Sequence, residues 1–316
     1  MQDYQPKFWL RNGHIQSMLP STFRKVTGVN FIRERISTPD DDFLDIDWLK
    51  TGQKKLVIIT HGLEGNSRRP YVLGLAKALH QVGYDVLAWN FRGCSGTMNR
   101  QFRMYHNGAI DDLEVVIQKA ISVGYGHIVL SGFSMGANMT LLYLGKKASH
   151  LYLQIKGALT FSAVMDLTDC ALTLEKKTNF IYMKYFLRTL RKKVLAKQAQ
   201  YPDKINAQDL HRVHTFSDFD DRYTAPMHGF KNARDYWKQC SSLPYLKNIS
   251  VPTLILNAQN DPFLGKNCYP QATQLSDAIE YEYPKHGGHV GFMQTGVNGL
   301  YYSEQRALEF VQAHFA

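Results

Sequence analysis

Two short stretches near the start of the chain alternate between side chains of opposite character. In residues 29–38, Phe31, Arg33 and Arg35 share one side and Ile32, Glu34 and Ile36 the other. In residues 43–50, Leu44, Ile46 and Trp48 oppose Asp45 and Asp47. A period of two predicts half-buried strands. Pro39 with Asp40, Asp41 and Asp42 supplies the turn of a hairpin between them. From Lys55 the pattern changes: Leu56, Val57, Ile58 and Ile59 form an unbroken apolar run, as expected of a strand covered on both faces in a parallel sheet. Helices are then predicted over 69–82, 109–122 and 135–147, and strands over 84–90, 127–133 and 155–162. After a long interruption the rhythm resumes, with strands over 253–258 and 279–283 and helices over 268–278 and 301–315. Regular strand–helix alternation predicts a doubly wound, mostly parallel α/β sheet with the opening hairpin as its antiparallel edge.

The interruption mixes helical patches with polar loops. Within it, Lys176, Lys177, Lys184, Arg188, Arg191, Lys192, Lys193 and Lys197 form a dense basic face, backed by apolar positions such as Phe180, Phe186, Leu187, Leu190 and Val194. It reads as an inserted helical cap over the carboxyl ends of the strands, where open α/β sheets bind ligands. The expected organisation is a core in two parts, 1–164 and 247–316, with a cap at 165–246.

Composition narrows the class. A chain of 316 residues, 44% hydrophobic and 20% charged, is not disordered, collagenous or a coiled coil. It is long enough to bury roughly three quarters of its unfolded surface without a disulfide or metal staple. No apolar run approaches the ~18 residues of a membrane span, and the N-terminus lacks a basic cluster followed by an apolar core, so a cytoplasmic protein is expected. Cys94, Cys170, Cys240 and Cys268 show no metal-ligand spacing, and His211, His214 and His228 add none, so no metal is expected. The net charge of +10 favours anionic partners. The bland reading of the basic face is a solvated helix side, and its functional reading is peripheral contact with an anionic membrane. Nucleic acid is disfavoured, because no basic tract is interleaved with aromatics.

The chemistry centres on Gly132-Phe133-Ser134-Met135-Gly136, a G-x-S-x-G between a predicted strand and a predicted helix. A nucleophile displayed there needs a sharp turn, glycines that relieve crowding, and a helix N-terminus aimed at the reacting centre. A serine hydroxyl also needs a base oriented by a carboxylate. The order Ser, acid, His is met by Asp261, after the strand at 253–258, and His289, after the strand at 279–283. His286 competes as the base. Asp277, on the predicted helix at 268–278, competes less well as the acid. Tetrahedral intermediates need two oxyanion donors; these are expected to be the backbone N–H groups of Met135 and Leu63. His61 reads as a structural histidine. His80 and Asp85 read as a chance H-x4-D, and the glycine-rich turn at 91–96 lacks the lysine and spacing of a phosphate cradle.

Taken together, these residues resemble the YheT-type branch of the α/β-hydrolase superfamily, which includes eukaryotic lipid hydrolases and yeast medium-chain ethyl-ester synthase/esterases. The likeness runs nearly end to end. It includes FWLRNGHIQS from Phe8 to Ser17, HGLEGN from His61 to Asn66, NFRGCSG from Asn90 to Gly96, FDDRYTAP from Phe219 to Pro226, and HGF from His228 to Phe230. The resemblance implies an α/β-hydrolase fold, with Ser134, Asp261 and His289 at the charge-relay positions. It implies cofactor-free hydrolysis of small-molecule or lipid-like carboxylic esters, with short to medium acyl chains. Two alternatives share the scaffold: an acyltransferase using the same triad with an alcohol as acceptor, and a non-catalytic protein that binds anionic lipid.

Overall fold

The computed structural model describes residues 4–294 and 299–315; the expected outer limits of the core, Met1 and Ala316, lie outside them. The predicted hairpin is present as β1 (Ile32–Ser37) and β2 (Phe43–Leu49), antiparallel. The alternation follows in the expected order: β3 (Lys55–Thr60), β4 (Tyr84–Trp89), β5 (His127–Phe133), β6 (Ile155–Phe161), β7 (Thr253–Leu256) and β8 (Ile279–Glu282). The eight strands form one sheet in the order β1-β2-β4-β3-β5-β6-β7-β8, parallel from β4 to β8. The chain moves outward from β3 to β4 and then crosses back to place β5 beside β3. That reversal leaves a crevice at the carboxyl ends of β3 and β5, where open sheets of this kind receive ligands.

Helices cover both faces because β3, β4 and β5 are apolar on both. On one face α2 (Pro70–Gln81) and α10 (Tyr302–Phe315) bury Val72, Leu75, Phe310 and Val311 against Val57, Ile59 and Val129. On the other, α3 (Ile110–Ser122) and α4 (Met135–Lys147) bury Leu113, Ile117, Leu141 and Leu144 against Leu56, Ile58 and Leu130. Between β6 and β7 the described residues are helical, with no strand. They run through α5 (Leu167–Leu174), α6 (Phe180–Gln200), α7 (Phe216–Phe219), a π-turn at Asp220–Thr224, α8 (Ala225–His228) and α9 (Ala233–Cys240). An apolar cluster joins this insertion to the loops beside it, with Leu187, Val194, Phe219 and Trp237 from the insertion and Met104 and Phe263 from outside it.

Three expectations are corrected, and one helix had not been predicted. The helix predicted at 268–278 is two isolated 3-10 turns, Lys266–Cys268 and Ala272–Gln274. Pro270 lacks an N–H and biases the residue before it away from helix, and Tyr269 is extended at φ −109°, ψ 99°. An unpredicted helix, α1 (Gly13–Phe23), precedes the sheet, started by Asn12, whose side chain accepts from the N–H groups of His14 and Ile15. Its composition hid it, since Pro20 interrupts any apolar stripe. β2 is buried on both faces rather than half-buried. Asp45 and Asp47 sit inside, each held by a forked arginine from β1, Arg35 and Arg33. Finally, the basic face of α6 is not uniformly solvated. Lys193 and Lys197 turn inward, and Lys197 donates to the carbonyls of Asn99 and Gln101.

The turn after β4 carries a structural charge cluster. Arg92, with its side chain 2% exposed, pairs with Asp42 at 2.8 Å, Asp112 at 2.7 Å and Asp40 at 2.9 Å. Its guanidinium therefore ties the hairpin turn to α3. Removing one partner of a buried pair leaves the others uncompensated, at a cost of about 3–5 kcal/mol. Arg92→Met should accordingly lower the urea-unfolding free energy by about that amount; a loss within experimental error would show that the cluster contributes nothing net.

Candidate active site

Ser134 lies at the turn from β5 into α4 with φ 53° and ψ −115°, a left-handed conformation that side chains rarely adopt. The flanking glycines are required by contact distances. A Cβ on Gly132 would sit 2.3 Å from the carbonyl oxygen of Gly136, and one on Gly136 would sit 2.4 Å from that of Thr60. The elbow is thus wedged between its own helix and the end of β3.

The structure brings together the three residues expected to form a relay. His289 Nε2 is 2.7 Å from Ser134 Oγ, and His289 Nδ1 is 2.8 Å from Asp261 Oδ2. With Nδ1–H donating to the carboxylate, Nε2 is left as an acceptor for the serine hydroxyl. Asp261 is fully buried and its other oxygen accepts from the Phe263 N–H at 2.9 Å. The competitors lie elsewhere. His286 is bonded through Nδ1 to the Arg11 carbonyl, and Asp277 is exposed at the turn before β8 rather than on a helix.

Met135 supplies the first amide of α4, ahead of the first intrahelical bond from Asn138 N–H to the Ser134 carbonyl. The first amides of a helix have no intrahelical acceptor. Leu63 belongs to the loop after β3, which lies close against the serine: a Cβ on Gly62 would be 3.2 Å from Ser134 Cβ. The amides on either side of Leu63 are occupied, Gly62 N–H by the Tyr71 hydroxyl and Glu64 N–H by that of Tyr105. Leu63 and Met135 line the inner cavity together with Ser134.

His61 is the structural histidine expected. It is buried, its Nδ1 lies 2.7 Å from the Gly62 carbonyl, and its Nε2 accepts from the Phe91 N–H. Burial lowers its pKa to about 3. His228 packs against His106, with ring centroids 4.3 Å apart. Burial lowers His228 to about 4 and puts His106 well below the usual range, while His211 and His214 are at the surface.

Several further residues shape the site: Ser17 and Asp220 lie in segments marked only by the family likeness, and Ser162, Phe263 and Lys193 carried no sign of such a role. Ser17 of α1 accepts the His289 N–H at 2.8 Å, and Ser162, after β6, accepts the Val290 N–H at 2.8 Å. Phe263 stacks on the His289 ring with centroids 4.0 Å apart. Lys193, from the insertion, pairs with Glu64 at 2.7 Å beside the Leu63 loop. Asp220, in the π-turn, faces the inner cavity and accepts from Thr224 and from the Trp237 indole; burial raises its carboxyl to about 6. Two spaces meet at Ser134. One is an inner apolar cavity reaching under the insertion past Leu174, Leu190 and Phe216. The other is an open groove of about 910 Å³ between α1 and α6.

Comparison with known proteins identifies the family and the fold. The model of the α/β-hydrolase fold family matches residues 55–295. The protein YheT of Escherichia coli (strain K12) is 35% identical over 92% of this chain and 87% of its own length. Phospholipase ABHD3 of Homo sapiens is 27% identical over 99% of this chain and 79% of its own. The solved structure of the Pyrococcus furiosus esterase Pf2001 shares the fold, with a TM-score of 0.59 at 18% identity over 93% of this chain and 97% of that one.

The buried imidazoles make acid stability testable. Folding depresses the pKa of His61, His106 and His228, so their stabilisation is complete above about pH 6.5 and is lost as pH falls. Asp220, raised by burial, acts in the opposite sense below about 6 and offsets one of the three. The urea midpoint should therefore fall between about pH 7 and about pH 5, and His61→Asn should flatten that dependence. A midpoint independent of pH over this range would contradict the assignment of these rings as neutral.

Proposed function

The chain belongs to the α/β-hydrolase fold family, in the branch of YheT, and from that membership we propose that it is a serine esterase acting on small-molecule or lipid-like carboxylic esters. The observation that carries the proposal is the continuous relay from Asp261 through His289 to Ser134, with separations of 2.8 and 2.7 Å at the carboxyl ends of the strands.

In the proposed cycle, Ser134 Oγ attacks the ester carbonyl while His289 Nε2 takes its proton. Asp261, hydrogen-bonded to Nδ1, fixes the tautomer and stabilises the imidazolium. The oxyanion of the tetrahedral intermediate is held by the N–H groups of Met135 and Leu63, one at a helix start and one on a loop braced by tyrosines. The intermediate collapses, the C–O bond to the leaving alcohol breaks, and His289 returns the proton to that oxygen. Water, deprotonated by His289, then attacks the acyl-serine and releases the acid. No cofactor enters this cycle.

Residues 165–246 are proposed as a cap that closes over the reacting centre and sets acyl preference. The inner cavity is apolar, which suits a short to medium acyl chain, and leaves the groove for the alcohol portion. The phospholipase among the relatives supports a lipid-like ester.

A fluorophosphonate should label Ser134 and fail to label a folded Ser134→Ala protein. On water-soluble p-nitrophenyl esters, Ser134→Ala should lose roughly 10⁶ in kcat and Asp261→Asn roughly 10⁴. An intact wild-type protein that resists the reagent and turns over no ester of the series would leave the scaffold without the proposed chemistry.

A further inference from the structure

The groove over Ser134 and His289 is walled by α1 on one side and the start of α6 on the other. His14 of α1 and Tyr182 of α6 join the walls: Nδ1 lies 3.2 Å from the hydroxyl, and the rings stack at 5.8 Å. Both walls leave large apolar side chains in solvent. Phe23, 72% exposed, and Ile181, 65% exposed, line the groove, while Phe8, 81% exposed, precedes α1 and Phe180, 62% exposed, opens α6, both outside the lining. Single exposed apolar residues are ordinary. Several of them on the two segments that wall one groove are not, and exposed apolar patches mark interaction sites.

The two wall segments carry charge of one sign. No acidic residue occurs in 4–33 or in 176–202, the two segments that build the walls. Lys7, Arg11, Lys25, Lys177, Lys184 and Arg188 are all exposed there. Apolar tips set among cations suit an anionic lipid interface, where the tips enter the acyl boundary and the cations stay at the headgroups. A second copy of the chain offers no such match, because pairing this face with itself brings two acid-free basic surfaces together.

We propose that α1, the segment leading into it and the amino-terminal half of α6 form a docking surface for an anionic phospholipid bilayer. Docking sets the groove mouth against the lipid, so that an ester leaves the bilayer and reaches Ser134 without crossing bulk water. The inference rests on the reading of the groove as the route to Ser134. Within α6 it limits membrane contact to the amino-terminal half, because the later lysines 193 and 197 are taken up inside the protein.

The test is sedimentation of the purified full chain with phosphatidylcholine vesicles, with and without phosphatidylglycerol. Wild type should bind the phosphatidylglycerol vesicles, less so as salt rises. Phe8→Ser and Phe180→Ser should each weaken binding by about tenfold, and the pair Lys177→Glu with Lys184→Glu should remove the preference for phosphatidylglycerol. Turnover of a water-soluble p-nitrophenyl ester should be unchanged in all of these. Ser134→Ala should bind vesicles like wild type while losing turnover, so failure of docking and failure of the chemistry give different results. Wild type that stays in solution with phosphatidylglycerol vesicles at low salt, or variants that bind as tightly as wild type, would overturn the proposal. So would a dimer in sedimentation equilibrium that Phe8→Ser dissociates, which would assign the face to a second copy.

Discussion

The left-handed backbone at Ser134 is the constraint around which the rest is arranged. A non-glycine residue in such a conformation costs on the order of 1–3 kcal/mol and persists only where its surroundings over-determine it. Here they do. Gly132 and Gly136 allow α4 to rise directly from the end of β5, and Gly136 packs on the carbonyls of Thr60 and His61. Because β3 and β5 are neighbours in register, with Thr60 opposite Gly132, the loop after β3 lies beside the serine. One strained residue thus fixes the hydroxyl, the first amide of α4 and the position of the Leu63 loop relative to each other.

The other half of the site is assembled from chain segments remote from the elbow. Asp261 and His289 ride on the loops after β7 and β8, and α1 clamps both. A Cβ on Gly13 would fall 2.0 Å from the Asn260 carbonyl oxygen, and one on Gly288 would fall 2.5 Å from that of Gly13. The clamp is therefore backbone against backbone, and polar side chains of the same helix complete it. Ser17 accepts the His289 amide, and Gln16 accepts the Met293 amide while donating to Tyr4. This assigns physical work to Gly13, Gln16 and Ser17, within the segment whose likeness to the YheT branch carries no chemistry of its own. The motif from Asn90 to Gly96 is similar. Asn90 bonds Asp47 and the Asp45 carbonyl, and Arg92 gathers three aspartates, so both brace the sheet edge rather than touch the reacting centre.

Lys193 shows how a correct local pattern leads to a wrong environment. Helical spacing places it among seven other cations on one dense basic face, and a solvated side is the natural expectation. The helix crosses the mouth of the sheet, however, and the face turned toward the core meets Glu64, which is buried and needs a cation. Asp45 and Asp47 follow the same logic in β2: period two sorts them to one side, and only the arginines of β1 and the turn after β4 make that side an interior.

The order of strands and helices, the antiparallel edge, the helical insertion and the glycine-flanked serine were legible in the sequence because each follows from local periodicity or from short-range steric need. So was the place of Asp261 and His289 on loops just after late strands, from which a parallel sheet can bring side chains to the serine. The break at Pro270 was also local, and it outweighed the apolar spacing that suggested a helix. What only the tertiary structure decided is which remote partners meet: Ser17 and Ser162 holding the His289 loop, Phe263 on the imidazole, Lys193 on Glu64. These depend on contacts between segments as much as 272 residues apart, as for Ser17 and His289. No local period encodes them, because they are set by how the loops and helices pack once the sheet has placed their ends.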